Sequence, residues 1–340
     1  MKPRILNLCS PWQIATVFQP EVWAELCEFC TVVNAEVEED AVKQLVSCDG
    51  ALTGWGSSFV FTSSRIANSP RLRLIAHTAG SVKGLLPEAA ARSELQSRCV
   101  MVYSGSTSIA INVAESTIGY LILAIRRWPE LAHAYPSQRK PGIAMPGDNP
   151  VRNGRFLTGA TIGLVGLSTV ALLTIPLLRP FGCHILAYDP YVSESEAQNL
   201  GVELMGLDDL FSHSDAISIH APELPQTRGL IGKHQLKLLR DGAALVNTSR
   251  GSVLDSEALL AEVITGRISV ALDVTDPEPL PADSPFWGLP NVFITPHTAA
   301  MGHGGLFQVG AGALAAIQHL AGETTPLVGI VPLERWEIIA

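Results

Sequence analysis

With 340 residues, nearly half of them apolar, the chain has sequence enough for two α/β lobes with full cores. A formal charge of -9 and the absence of any Lys/Arg-rich run argue against nucleic acid and anionic membrane as partners. Six cysteines in so long a chain make no disulfide framework, and the single CxxC (Cys27, Cys30) lies in the helical stretch EVWAELCEFC with no second pair to complete a zinc site, so no metal is expected.

The start, MKPRILNLCSPW, has too few apolar residues before Pro11 for a secretory signal, and a cytoplasmic location is expected. Over the first hundred residues, extended runs (RILNLCS, TVVNAEV, GALTGWG, RLRLIAHTAGS, VMVYSGS) alternate with amphipathic segments such as PEVWAELCEF and EEDAVKQLV. That alternation predicts a small parallel α/β lobe. A long apolar helix follows in NVAESTIGYLILAIRRW, with Asn112 as its expected cap, Glu115 three residues on, and Arg126 and Arg127 in the last turn, where the helix dipole favours cations. It carries the chain into a second lobe.

Residues 135–155 are rich in Pro, Gly and polar side chains without a period, and read as a surface loop. Beyond them, Phe156 to Leu178 carries no charge, but Gly159, Gly163, Gly166 and Pro176 interrupt it, so it reads as strand, turn and helix and not as a membrane span. From Thr161 six extended runs alternate with helices: ATIGLVG, CHILAYDP, AISIHAP, AALVNTSRG, SVALDVT and VFITPH. This is the count of a dinucleotide-binding lobe. The closing GLFQVGAGALAAIQHLAG is a further helix, expected to return to the first lobe.

The segment TIGLVGLSTVALLTIPLLRPFGCHILAYD has the order strand, glycine turn, helix, strand, and ends in Asp189, about 20 residues beyond the turn, where a ribose-binding acid stands in such units. A carboxylate there repels a 2'-phosphate, so NAD is expected over NADP. The turn itself (Gly166, Leu167, Ser168, Thr169, Val170, Ala171) keeps only the first glycine of GxGxxG; the Ser168 hydroxyl is placed to meet a phosphate at the helix N-terminus. The helix after the turn is apolar nearly all round and contains Pro176, expected to kink it; a partner subunit or the 135–155 loop is expected to cover it.

Three of the late runs end in the groups that hydride chemistry on an acid requires. Arg250 suits a bidentate carboxylate clamp, and His297 a proton relay near neutral pH. Glu278 would bond the far imidazole nitrogen, fix the ring and favour its protonated form. Asp273 is a candidate for holding the nicotinamide carboxamide; Thr248 and His220, also at strand ends, are expected to line the cofactor pocket. In the first lobe the turn HTAGSV offers the Gly80, Ser81 and Val82 backbone amides as an anion nest, with His77 beside it as a substrate contact. Side chains placed after successive parallel strands converge on one crevice.

These stretches (LIAHTAGSV, NVAESTIGYLILAIRR, LTGATIGLVG, LRPFGCHILAYDP, IHAPELPQTRGLIG, LVNTSRGSVLD and ALDVTDPEPLPADSPFWGLPNVFITPHTA) resemble the D-isomer-specific 2-hydroxyacid dehydrogenases over most of the chain. The resemblance implies an α/β protein of two Rossmann-like lobes with parallel sheets, the cofactor lobe (105–301) inserted into a substrate lobe (1–104 and 302–340). It also implies NAD, a small 2-oxo or 2-hydroxy acid, the Arg250, Glu278, His297 set and a homodimer built around the cofactor lobe. The sequence departs from that pattern in its glycine loop, at Thr169 and Lys83, and in ELPQT. The loop motivates a competing reading, a non-catalytic NAD(H)-sensing protein like the corepressors of this fold; the intact Arg/Glu/His set opposes it.

Overall fold

The computed structural model describes residues 2–35, 37–138, 154–302, 304–323 and 327–337. They form two compact units, Met1–Ala110 with Ala300–Ala340, and Ile111–Ala299.

In the first unit, five short runs form a parallel sheet: β1 (Arg4–Asn7), β2 (Thr31–Asn34), β3 (Gly50–Thr53), β4 (Leu74–His77) and β5 (Met101–Ser104), in the order β2-β1-β3-β4-β5. The period of two divides their side chains between two cores. Leu6, Ala51, Ile75 and Val102 pack with the helices Glu38–Leu45, Ser63–Ala67 and Ala89–Ser97. Ile5, Leu52, Leu74, Ala76 and Tyr103 face the other way, toward Pro11–Val17, Pro20–Phe29 and the closing helix Phe307–Leu320. That last helix lies at backbone distance: a Cβ on Gly310 would overlap the Val17 carbonyl, and Tyr103 donates to the Val309 carbonyl at 2.9 Å.

The second unit holds a seven-stranded parallel sheet: β6 (Thr161–Val165), β7 (His184–Tyr188), β8 (Glu203–Leu204), β9 (Ala216–Ile219), β10 (Ala244–Asn247), β11 (Ser269–Leu272) and β12 (Val292–Ile294). Its order, β12-β11-β10-β9-β6-β7-β8, reverses direction between β6 and β9, the switch point at which open α/β sheets bind ligands. The six runs anticipated from sequence are all present; β8 has only two residues, too few to show a period. A single register row crosses the carboxyl edge, Ile294, Leu272, Asn247, Ile219, Val165, Tyr188. The six strands of that row therefore leave the sheet at the same height.

The long helix begins at Ser106 and ends at Ile125, so Asn112 is an interior residue and not its cap. The start lies earlier because β5 runs straight into the helix, with the Ser104 hydroxyl accepting from the Ser106 amide at 3.1 Å. Nor does Arg127 neutralise the last turn from solvent. It takes φ +54 beyond the helix and is buried, paired with Glu130 and bonded to the Gly266 carbonyl at 2.7 Å. The helix Trp128–Gln138 occupies the beginning of the expected 135–155 loop, and 139–153 lie outside the described residues. Phe156–Leu178 resolves into β6 and the helix Thr169–Leu178, which continues two residues past Pro176; Leu172 and Leu177 are its exposed apolar positions.

Candidate active site

Each proposed residue of the second unit hangs from the common register row. Gly166 is the first residue after β6, with φ +91, and a Cβ there would come within 2.9 Å of the Ala221 amide nitrogen at the end of β9. Only glycine satisfies both the left-handed backbone and that approach. Asp189, first after β7, ties the turn from its other side: its Oδ2 accepts from the Leu167 amide at 2.8 Å and its Oδ1 from the Tyr191 amide at 2.9 Å.

Ser168 is the N-cap residue of the helix Thr169–Leu178, and its hydroxyl makes no capping bond. The first-turn amides of that helix have no intrahelical acceptor, which makes the turn an anion site of the kind that receives a dinucleotide pyrophosphate. Gly166, Ser168, Thr169 and Val170 fit that group, and Asp189 fits a ribose. His220, first after β9, is buried with Nε2 3.0 Å from the Ser218 hydroxyl, while Nδ1 has no partner among the described residues. Desolvation pushes its pKa down to about 4, so the ring is neutral.

After β10 the Asn247 side chain shapes the loop that carries Arg250. Its amide nitrogen donates to the Arg250 carbonyl at 2.9 Å, and its oxygen accepts from the Ser249 amide and hydroxyl at 3.0 Å. The Arg250 guanidinium donates to the Ser249 carbonyl at 2.7 Å and, among the described residues, is in no ion pair. Thr248 is buried, its hydroxyl 3.0 Å from that of Thr117. The Arg250 loop abuts the one after β11, since a Cβ on Gly251 would overlap the Thr275 carbonyl.

The third group completes the edge. His297 Nδ1 lies 2.6 Å from Glu278 Oε1, and both side chains are about half exposed. The imidazole is carried on a turn in which His297 itself has φ +53 and its amide donates to the Asp273 carbonyl at 2.8 Å. Asp273, 2 % exposed, builds this turn: Oδ1 accepts from the Thr295 hydroxyl (2.6 Å) and the Thr298 amide (2.8 Å), Oδ2 from the Ala299 amide (2.9 Å). Adjacent strands being about 4.8 Å apart, the strands that launch Arg250 and His297 are separated by about 10 Å on one edge. A guanidinium, a carboxylate–imidazole pair and a glycine turn at a helix N-terminus thus share the carboxyl edge of one sheet.

Residues 118–299, more than half of the chain, match the family described as D-isomer specific 2-hydroxyacid dehydrogenase, NAD binding domain. The chain belongs to this family. It is 33% identical over 237 residues to the glyoxylate reductase of Korarchaeum cryptofilum, covering 69% of each chain. It is 36% identical over 236 residues to the D-3-phosphoglycerate dehydrogenase of Mycobacterium leprae, covering 69% of this chain but 42% of that one. The chain thus spans about two fifths of the length of these curated D-3-phosphoglycerate dehydrogenases. In three dimensions it resembles the apo form of Rhodotorula graminis D-mandelate dehydrogenase, with a TM-score of 0.81, 18% identity, and 97% and 98% of the two chains covered. The α/β fold of two Rossmann-like units is that of these 2-hydroxyacid dehydrogenases.

In this family member the second unit also contains residues beside these candidates that the sequence pattern did not single out. Thr295 links Asp273 to Tyr120, whose hydroxyl lies 2.8 Å from that of Thr295, and the Ser116 hydroxyl donates to the Ala299 carbonyl at 2.6 Å. The available signal was three hydroxyl side chains, at 116, 117 and 120, within one turn of the helix Ser106–Ile125. The remaining candidates belong to the first unit. There His77 is buried with Nδ1 2.8 Å from the Thr53 hydroxyl and its pKa lowered to about 4 by desolvation. Gly80 and Ser81 are half-buried in the turn after β4, where the Gly80 carbonyl accepts from the Ser104 hydroxyl at 2.5 Å and the Ser81 hydroxyl from the Lys83 amide at 3.3 Å.

Proposed function

We propose that this protein interconverts a D-2-hydroxy acid and a 2-oxo acid with NAD(H). The observation that carries the reading is the Glu278–His297 pair, held at 2.6 Å on the same sheet edge as Arg250 and the Gly166 turn. Gly166, Ser168, Thr169 and Val170 would hold the pyrophosphate, Asp189 the adenosine ribose, and Thr248 and His220 would line the pocket. When bound, the cofactor supplies or accepts the hydride.

Every other requirement falls to the chain. The Arg250 guanidinium binds the substrate carboxylate and presents the carbonyl for reaction. His297 gives a proton to the carbonyl oxygen as alkoxide charge develops and takes it back in the reverse direction. Glu278 orients the imidazole through Nδ1, so that the proton is delivered from the opposite nitrogen. Asp273 contributes by building the turn that aims His297; three short bonds already occupy its carboxylate, leaving Oδ2 as the oxygen with capacity for a carboxamide.

The partners of this reading are a small 2-oxo or 2-hydroxy acid and a second copy of the chain in a homodimer. Oxidation of NADH with a panel of 2-oxo acids tests it, with His297→Ala as control. Turnover that His297→Ala abolishes supports the reading, and no turnover with any acid of the panel overturns it.

A further inference from the structure

We infer that Ser116, Thr117 and Tyr120, one turn of the helix Ser106–Ile125, are positioning residues that hold the Arg250 loop and the His297 turn in a fixed mutual relation. The inference rests on the proposed dehydrogenase reading for its chemistry, but its geometry stands independently.

Two loops from different strands must present a guanidinium and an imidazole to one small substrate, and displacement of either by about an ångström forfeits most of the advantage of orientation. Neither loop is a regular element. What they share is this helix. Ser116 and Tyr120, four residues apart and so on one face, both reach the His297 turn: Ser116 donates to the Ala299 carbonyl at 2.6 Å, and Tyr120 bonds the Thr295 hydroxyl at 2.8 Å. Thr117, beside them, reaches the other loop through the Thr248 hydroxyl at 3.0 Å.

The directions of these bonds follow from the proton inventory. Thr295 gives its one hydroxyl proton to Asp273 Oδ1, so it accepts from Tyr120, and the sequence runs from phenol to hydroxyl to carboxylate. Thr117 gives its proton to the Val113 carbonyl at 2.8 Å, so it accepts from Thr248. Thr295 and Thr117 each accept one hydroxyl proton and donate another, and the Tyr120 hydroxyl also lies 3.4 Å from Asp273 Oδ1, so the network is orienting as well as cohesive. The template is itself rigid: Leu121, Ala124 and Ile125 on the next turns are fully buried in the core beneath β6, and the Tyr120 ring packs on Phe293 of β12 with centroids 5.9 Å apart.

The two branches are separable, and this supplies the test. Tyr120→Phe keeps the ring and removes the proton donated to Thr295. It is expected to lower kcat about fivefold, the rate equivalent of one hydrogen bond, to leave the KM of the acid unchanged, and to shift the imidazole nitrogen resonances of His297 in the protein without cofactor. Thr117→Val breaks the other branch and is expected to raise the KM of the acid by a similar factor while leaving the His297 resonances in place; Thr117→Ser, which keeps the hydroxyl, restores wild-type values. Variants that lower only the melting temperature, with kcat, KM and imidazole resonances unchanged, would show these hydroxyls to be ordinary core packing and overturn the inference. A wild-type protein that reduces no 2-oxo acid, but whose His297 resonances still respond to Tyr120→Phe and not to Thr117→Val, removes the dehydrogenase reading and sustains the positioning role.

Discussion

Gly251 and Thr275 lie so close that the missing side chain of one is filled by the carbonyl of the other, and through this contact the loop of Arg250 is seated against the segment that leads to Glu278. Arg250, Glu278 and His297 are therefore mechanically connected as well as adjacent on the sheet edge. Gly251→Ala should force these backbones apart. An overpacked core site costs about 1 to 3 kcal/mol, so a lower urea midpoint with a raised KM for the acid is the expected pair of results. Wild-type values for both would mean that the two loops separate without consequence.

The Glu278–His297 pair should matter far more to rate than to stability. Both side chains are about half exposed, and exposed ion pairs contribute at most about 1 kcal/mol to folding. Glu278→Gln preserves size and a hydrogen-bond acceptor while removing the carboxylate charge beside the imidazole. Its expected phenotype is a fall in kcat of about tenfold or more with an unchanged melting temperature, read by steady-state kinetics and calorimetry. Unaltered kcat would place proton transfer elsewhere.

Arg250→Lys tests the clamp. A lysine ammonium keeps the charge but loses the planar fork that meets both carboxylate oxygens. The KM of the acid should rise while NADH binding, measured by fluorescence titration, stays the same.

Asp189 binds the glycine turn through the Leu167 amide, and as the proposed ribose-binding acid it would repel a 2'-phosphate. Asp189→Ser should weaken NADH and narrow its margin over NADPH in parallel titrations. Equal weakening of both cofactors would show that the carboxylate serves only to hold the turn.

Acid should destabilise both units through buried neutral histidines. His77 and His220 have folded pKa values of about 4 against about 6.5 when unfolded, because burial disfavours the charged ring. Below pH 6.5 the unfolded chain binds more protons than the folded one, so stability is complete above that pH and declines as the pH falls toward 4. Each ring should cost about 2 kcal/mol by pH 5. Urea midpoints compared at pH 7.5 and pH 5 should therefore fall less in His220→Asn than in the wild type. An identical fall in the two proteins is the contrary result.

Much of this architecture was legible in local pattern. Short apolar runs that recur between amphipathic helices specify parallel strands, and all the strands long enough to show a period stand where those runs lie. The residues proposed for the site also stand at the ends of such runs, and since a parallel sheet delivers its strand exits to one edge, the placement of Gly166, Asp189, Arg250 and His297 along that edge followed from pattern. The helix boundary at Ser106 was not legible, because it depends on a bond from Ser104 that no periodicity records.

The sequence by itself determined which chemical groups leave the sheet and on which edge, a consequence of strand period and chain direction. Tertiary structure alone decided how those groups are aimed. The role of Asp273 as the keystone of the His297 turn, the burial of Arg127 against Glu130, and the service of Ser116, Thr117 and Tyr120 to two distant loops are relations between residues far apart in the chain. Local propensity carries no term for such pairs; they arise only when packing brings hydroxyls and carboxylates together with nowhere else to place their hydrogen bonds.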